Sequence, residues 1–130
     1  MTKSDILMNI NTSLAGEQLT WKTALQHINW AIDGINSQLN TIFPAVTADD
    51  DAYTAFPDKY VRSVLIPGAV HHYYMVDDEG STGEQDFYNE YRQGLFVMLR
   101  DYSHQIPIEY QDDVDNGTAD AAWEVRGVWF

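Results

Sequence analysis

The chain has 130 residues, no cysteine and a formal net charge of −13. Without cysteine, disulfides, thiolate metal sites and cysteine nucleophiles are excluded, and the acidic charge opposes binding to nucleic acid phosphates and anionic membranes. The length predicts one domain with a core that buries roughly two-thirds of the unfolded surface. The first residues lack the long apolar core of a signal peptide, and no apolar run approaches the roughly 20 residues that span a bilayer.

Two amphipathic helices are predicted in the first forty residues. Ser4 is a suitable N-cap for a short helix that Gly16 would end. Thr20 is a suitable N-cap for a longer helix, which Asn40 would end. Apolar residues in that second helix recur at steps of three and four, as one buried face requires: Trp21, Leu25, Ile28, Ile32, Ile35 and Leu39.

An antiparallel helical hairpin is predicted over residues 57–102. Pro57 suits the first position of its first helix. Pro67 lies inside that helix and clashes with the Ser63 carbonyl, so the helix must kink or break there. Ser81 and Glu84 form a capping box for the second helix. Its apolar face contains Phe87, Tyr91, Leu95, Met98, Leu99 and Tyr102, and we expect Leu95 and Met98 to be buried against Ile28 and Ile32.

The character of the sequence changes after Tyr102. Residues 105–110 alternate and contain Pro107, which predicts an extended segment or an edge strand. A polar stretch follows, and then a strongly apolar, β-like one. The predicted fold is therefore all-α: a small bundle of about four main helices over residues 1–103, with an extended C-terminal arm over residues 104–130 of the same domain. The arm is either an interaction surface or folds back onto its own core, and its key residues are Trp123, Val125, Val128, Trp129 and Phe130.

Sequence patterns for catalysis or metal binding are missing. His71 and His72 are adjacent, so on a helix they point about 100° apart and do not chelate one metal ion. A calcium-binding loop of the EF-hand type with its glycine at Gly80 fails in two places. Met75 would stand at the first position, which requires an acid, and Asp86 at the twelfth, which requires glutamate. The nucleophile elbow, P-loop, dinucleotide and zinc-protease motifs are absent. We therefore predict no enzyme, no metal and no cofactor, and we expect the tyrosines of the hairpin to serve mainly as core.

Acidic residues at two places are candidates for facing a DNA channel or a protein neighbour. They follow the first helix of the hairpin or precede the apolar arm: Asp77, Asp78, Glu79, Asp112, Asp113 and Asp115.

Residues 56–102, together with the helix layout over about residues 20–110, resemble small virion proteins of tailed bacteriophages. More specifically, they resemble the head-to-tail connector, or adaptor, class that sits under the portal. That resemblance implies a ring, a dodecamer in that class, which contacts portal and tail or neck proteins. It implies a DNA channel without sequence-specific binding, no membrane, and a place in the neck of the virion after synthesis in the host cytoplasm. The tryptophan-rich arm departs from the pattern of the class.

Two other functions fit the same sequence. One is an acidic DNA mimic that inhibits a nucleic-acid-binding enzyme. The other is an enzyme or ligand-binding bundle that uses the tyrosine-rich hairpin.

Overall fold

The computed structural model describes residues 1–14, 17–77 and 82–112, without the side chains of residues 77 and 82–84. Within these ranges the main helices are α1 (Lys3–Ser13), α2 (Trp21–Leu39), α4 (Ile66–Asp77) and α5 (Thr82–Tyr102). A single turn, α3 (Asp58–Tyr60), and a π-helical segment (Val61–Leu65) lead into α4, and a 3₁₀ turn (Ile108–Tyr110) follows α5. The predicted all-α bundle of about four main helices is confirmed.

Helix boundaries follow local capping chemistry. Thr2, and not Ser4, caps α1: its hydroxyl accepts a hydrogen bond from the Asp5 amide at 3.2 Å. Thr20 caps α2 as predicted and accepts from the Thr23 amide at 3.2 Å. Asn40 ends α2 in a left-handed conformation with φ of 56°, which asparagine tolerates better than most residues. Gly16, Ser81 and the Glu84 side chain lie outside the described residues.

The proline inside the hairpin is accommodated by a change of helix type. The Ile66 amide donates to the Val61 carbonyl, five residues earlier, where an α-helix would use the fourth. The π segment ends at Leu65, two residues before Pro67, which has no amide to donate. The sequence predicted a kink or a break at Pro67; the structure has this wide turn instead of a break, and the helical run continues from Asp58 to Asp77.

Helix α4 is the centre of the bundle. His27 of α2 contacts His72 of α4, and Ala31 of α2 faces Gly68 of α4, so these helices are antiparallel. Tyr74 of α4 stacks on Phe87 near the start of α5, so α4 and α5 are also antiparallel. Helices α2 and α5 consequently run parallel on either side of α4.

The packing of α5 corrects one expectation. Met98, Ile28 and Ile32 are buried as predicted, but Leu95 is only partly buried. Helix α4 separates much of α2 from α5, so part of the apolar face of α5 has no helix against it. Leu95 packs against the edge of the core, while Phe96 and Leu99 are 59% and 41% exposed. All three residues line a groove.

The segment after α5 is not the predicted strand. It folds onto the helical body, with Ile106 buried, and forms the 3₁₀ turn after Pro107. Proline cannot donate to a β-ladder, and pairing is limited to the antiparallel bridge between Thr41 and Gln111. Beside it, the Ile42 amide donates to the Tyr110 carbonyl at 2.8 Å and the Asp112 amide to the Asn40 carbonyl at 3.3 Å. The rest of the predicted arm, from Asp113 onward, lies outside the described residues.

Candidate interaction surface

A groove with a volume of about 390 Å³ lies between the parallel helices α2 and α5. We call it the α2–α5 groove. Its lining combines aromatic and aliphatic side chains with a few polar ones: Trp30, Gly34, Ser37 and Gln38 from α2, and Tyr88, Tyr91, Arg92, Leu95, Phe96 and Leu99 from α5.

Tyr91 forms the floor of the groove. Its side chain is buried, and its hydroxyl donates to the Ala31 carbonyl at 3.2 Å. The ring fits because glycines face it. A Cβ on Gly68 would lie 2.7 Å from two Tyr91 ring carbons, and one on Gly34 would collide with the Tyr91 hydroxyl. Tyr91 thus fixes the spacing of three helices, as its predicted core role requires.

Burial raises the pKa of Tyr91 to about 12, with smaller contributions from the nearby Asp33 and Tyr88. The folded state therefore holds this proton more tightly than the unfolded chain, whose tyrosines ionise near pH 10. Protonated Tyr91 therefore contributes on the order of 2 kcal/mol to the free energy of unfolding. This contribution is fully present below pH 10 and is lost as the pH rises toward 12.

We predict that Tyr91→Phe flattens this alkaline decline. The variant loses one hydrogen bond, worth about 1 kcal/mol, at neutral pH. Its unfolding free energy, measured by urea denaturation from pH 8 to 12, should then fall less steeply above pH 10 than that of the parent. Part of the slope remains, because burial also raises the pKa of Tyr53. An unchanged slope would show that Tyr91 ionises freely in the folded protein.

One end of the groove is a cluster of stacked rings. Trp30 stacks on His72 at a centroid distance of 4.7 Å, and the Nδ1 atoms of His72 and buried His27 lie 2.8 Å apart. Hydrogen bonding over that distance requires one Nδ1 to donate and the other to accept. His71 turns toward Tyr88 of α5, at 4.9 Å. His71 also contacts Trp30, at a centroid distance of 5.6 Å, so both histidines pack on α2. His27, 45 residues from His72, is a partner that sequence reasoning missed.

The rim of the groove along α5 is apolar, and two arginines lie over its rings. Arg92 lies over the Tyr88 ring at 5.6 Å, and Arg100 lies over Phe96 at 5.8 Å while donating two hydrogen bonds to Asp101, at 2.7 and 2.9 Å. An aromatic floor, an aliphatic rim and a few polar groups suit the docking of an apolar peptide segment. Among the described residues, no cluster of three or more histidines and acids is placed to hold a metal ion.

The candidate acidic residues do not form one patch within the described chain. Asp77 ends α4, at the end of the bundle where α2 begins, and its side chain is not described. Asp112 is bonded through its amide to Asn40, at the opposite end of α2. Asp78, Glu79, Asp113 and Asp115 lie outside the described residues, as do Trp123, Val125, Val128, Trp129 and Phe130 of the predicted arm.

Negative charge is instead distributed over the whole described surface. Exposed acids occur on α1, α2, α3, α5 and the connections between helices: Asp5, Glu17, Asp33, Asp49, Asp51, Asp58, Asp86, Glu90, Asp101 and Glu109. The lining of the α2–α5 groove contains Arg92 and no acid, so the groove is less acidic than the described surface around it.

Within residues 1–14, 17–77 and 82–112, none of the helices combines the length and the apolar character needed to cross a membrane. Comparisons of the chain with protein-family models, with curated proteins and with solved structures gave no match.

Proposed function

We propose that this protein is a structural virion component, a head-to-tail connector or adaptor that forms a ring between portal and tail proteins and continues the DNA channel. The observation that carries the proposal is the α2–α5 groove: an acidic helical body leaves Phe96, Leu99 and part of Leu95 uncovered beside it. Contiguous apolar surface of this kind marks a protein interface.

The distributed acids support the conduit part of this role. A channel that passes DNA must not hold phosphates, and carboxylates repel them. The protein binds DNA neither specifically nor tightly under this proposal, and its function is mechanical and not catalytic.

Ring formation requires two different complementary patches on each subunit, because a closed ring is a heterologous assembly. The groove is one candidate patch. The apolar arm, centred on Trp123 and Trp129, is a candidate for the second, by analogy with segments that dock on neighbouring proteins.

A second candidate function is an acidic DNA mimic that inhibits a nucleic-acid-binding enzyme. The exposed carboxylates on most helices favour it, since such a mimic presents spaced negative charge to a basic partner. Light scattering during size-exclusion chromatography distinguishes the two. Ring-sized particles, or a mass that rises with concentration, support the connector. A concentration-independent monomer that binds a basic enzyme supports the mimic.

The arm gives a separate prediction. If residues 122–130 are an interface, deleting them should leave the helical circular dichroism and the melting temperature unchanged and abolish the large assemblies. Unfolding of the shortened chain would instead show that the arm completes the core of its own subunit.

A further inference from the structure

The apolar rim of the α2–α5 groove has no cover within the described chain. We propose that this groove binds the segment Trp123–Phe130 of the neighbouring copy of the same protein. The inference rests on the proposed ring, and it names both surfaces of the repeated contact.

The described chain ends on the side of the subunit where the groove lies. Residues 110–112 run antiparallel to residues 40–42, through the bridge between Thr41 and Gln111 and the bond from the Asp112 amide to Asn40. The chain therefore passes Asn40 heading toward the C-terminal end of α2. Gln38, two residues before Asn40, lines the groove, so the described chain ends close to one end of its own groove.

The intervening chain is long enough to reach a neighbouring copy, and the proposed ring, not the length, selects that copy over the groove of the same subunit. Residues 113–122 can span up to roughly 33 Å. The groove of the same subunit begins beside Asn40 and needs only a small part of that length. A domain of this size has a radius of gyration of about 14 Å, so the same reach takes the segment across to an adjacent copy.

The two surfaces match in chemistry. The segment contains two tryptophans, a phenylalanine and two valines, and the groove offers rings and aliphatic carbons from Trp30, Tyr88, Leu95, Phe96 and Leu99. Glu124 of the segment can pair with Arg92, which lines the groove. One segment and one groove per subunit form a heterologous contact that repeats around a ring.

Complementation between two variants of the full chain tests the proposal. Phe96→Asp places a charge in the groove at a position that is 59% exposed, so the fold should survive, and Trp129→Asp damages the segment. Each variant alone should lose self-association by about tenfold or more. Mixed in equal amounts, they should form a heterodimer, because the intact segment of Phe96→Asp can enter the intact groove of Trp129→Asp. Tagging one variant and measuring mass by light scattering identifies that species.

Met8→Asp is the matched control, since Met8 is a 61% exposed apolar residue on α1, away from the groove. It should assemble like the parent, and circular dichroism should show that all three variants are folded. Should Phe96→Asp fail to fold, Leu99→Asp replaces it.

Three results would overturn the inference. If Phe96→Asp formed normal rings, the groove would be excluded as the binding site, while the connector proposal would stand. Absence of a heterodimer in the mixture, with each variant monomeric, would show that the segment does not dock between copies. A parent chain that stays monomeric at every concentration would overturn the ring and the docking contact together.

Discussion

Gly94→Ala is expected to lower the free energy of unfolding by about 2 kcal/mol, in the range typical of overpacked interiors. Helix α5 crosses the π-helical segment at this glycine. A Cβ there would collide with the carbonyl oxygen of Ser63 and lie 2.9 Å from a methyl carbon of Val64. The obstacle is backbone, held by the π turn before Pro67, so relief requires α5 to move away from its neighbour.

The sign of this change in the free energy of unfolding is informative. Helix propensity alone would make Gly94→Ala stabilising, because alanine is favoured over glycine inside a helix by about 1 kcal/mol. Gln93→Ala, one residue earlier on the exposed side of α5, is the control and should stay within about 0.5 kcal/mol of the parent. Urea denaturation of the three proteins gives the comparison. A Gly94→Ala protein as stable as the parent, or more so, would show that α5 does not approach the π segment this closely.

Met98→Ala is expected to cost about 2–5 kcal/mol, the usual loss when a large buried side chain is truncated. Met98 is fully buried between α5 and the rest of the core. Leu95→Ala should cost clearly less, because Leu95 lies half-buried at the groove and its truncation opens no enclosed cavity. This ordering replaces the expectation from the helical period alone, which treated the two positions as equivalent.

Both free energies should be measured at a chain concentration where the protein is monomeric, so that subunit contacts do not contribute. A Leu95→Ala cost equal to that of Met98→Ala would show that Leu95 belongs to the core of the single subunit. The α2–α5 groove would then be closed in solution.

Capping residues and apolar periodicity predicted the helices and their ends well, but not which helices pack against each other. Thr20 and Asn40 bound α2 as expected, because capping depends on residues within one turn. The amphipathic period correctly placed Met98 and Leu95 on one side of α5. The period does not reveal that α4 lies between α2 and α5. Because of that arrangement, Leu95 lies at a groove.

The ring cluster shows a second limit of sequence reasoning. His71 and His72 were considered for metal binding because they are adjacent, and their spacing argued against it. Their contacts depend on partners from other helices: His27 and Trp30 on α2 and Tyr88 on α5. Nothing in the local pattern around His27 distinguishes it from an ordinary helix histidine, so the cluster becomes visible only after the helices are packed.

The prediction of an extended segment or an edge strand after Tyr102 fails for a related reason. Alternation around Pro107 favours extended backbone, but a strand also needs a partner with free amides and carbonyls. The connection after α2 supplies only the short pairing of residues 40–42 with residues 110–112. A 3₁₀ turn therefore satisfies part of the backbone within the segment itself.

Electron microscopy of the purified full chain at high concentration tests the central claim most directly. The connector proposal predicts closed rings of identical subunits around an open channel wide enough for a DNA duplex. A field of separate single subunits at every concentration, or closed particles without a channel, would contradict it.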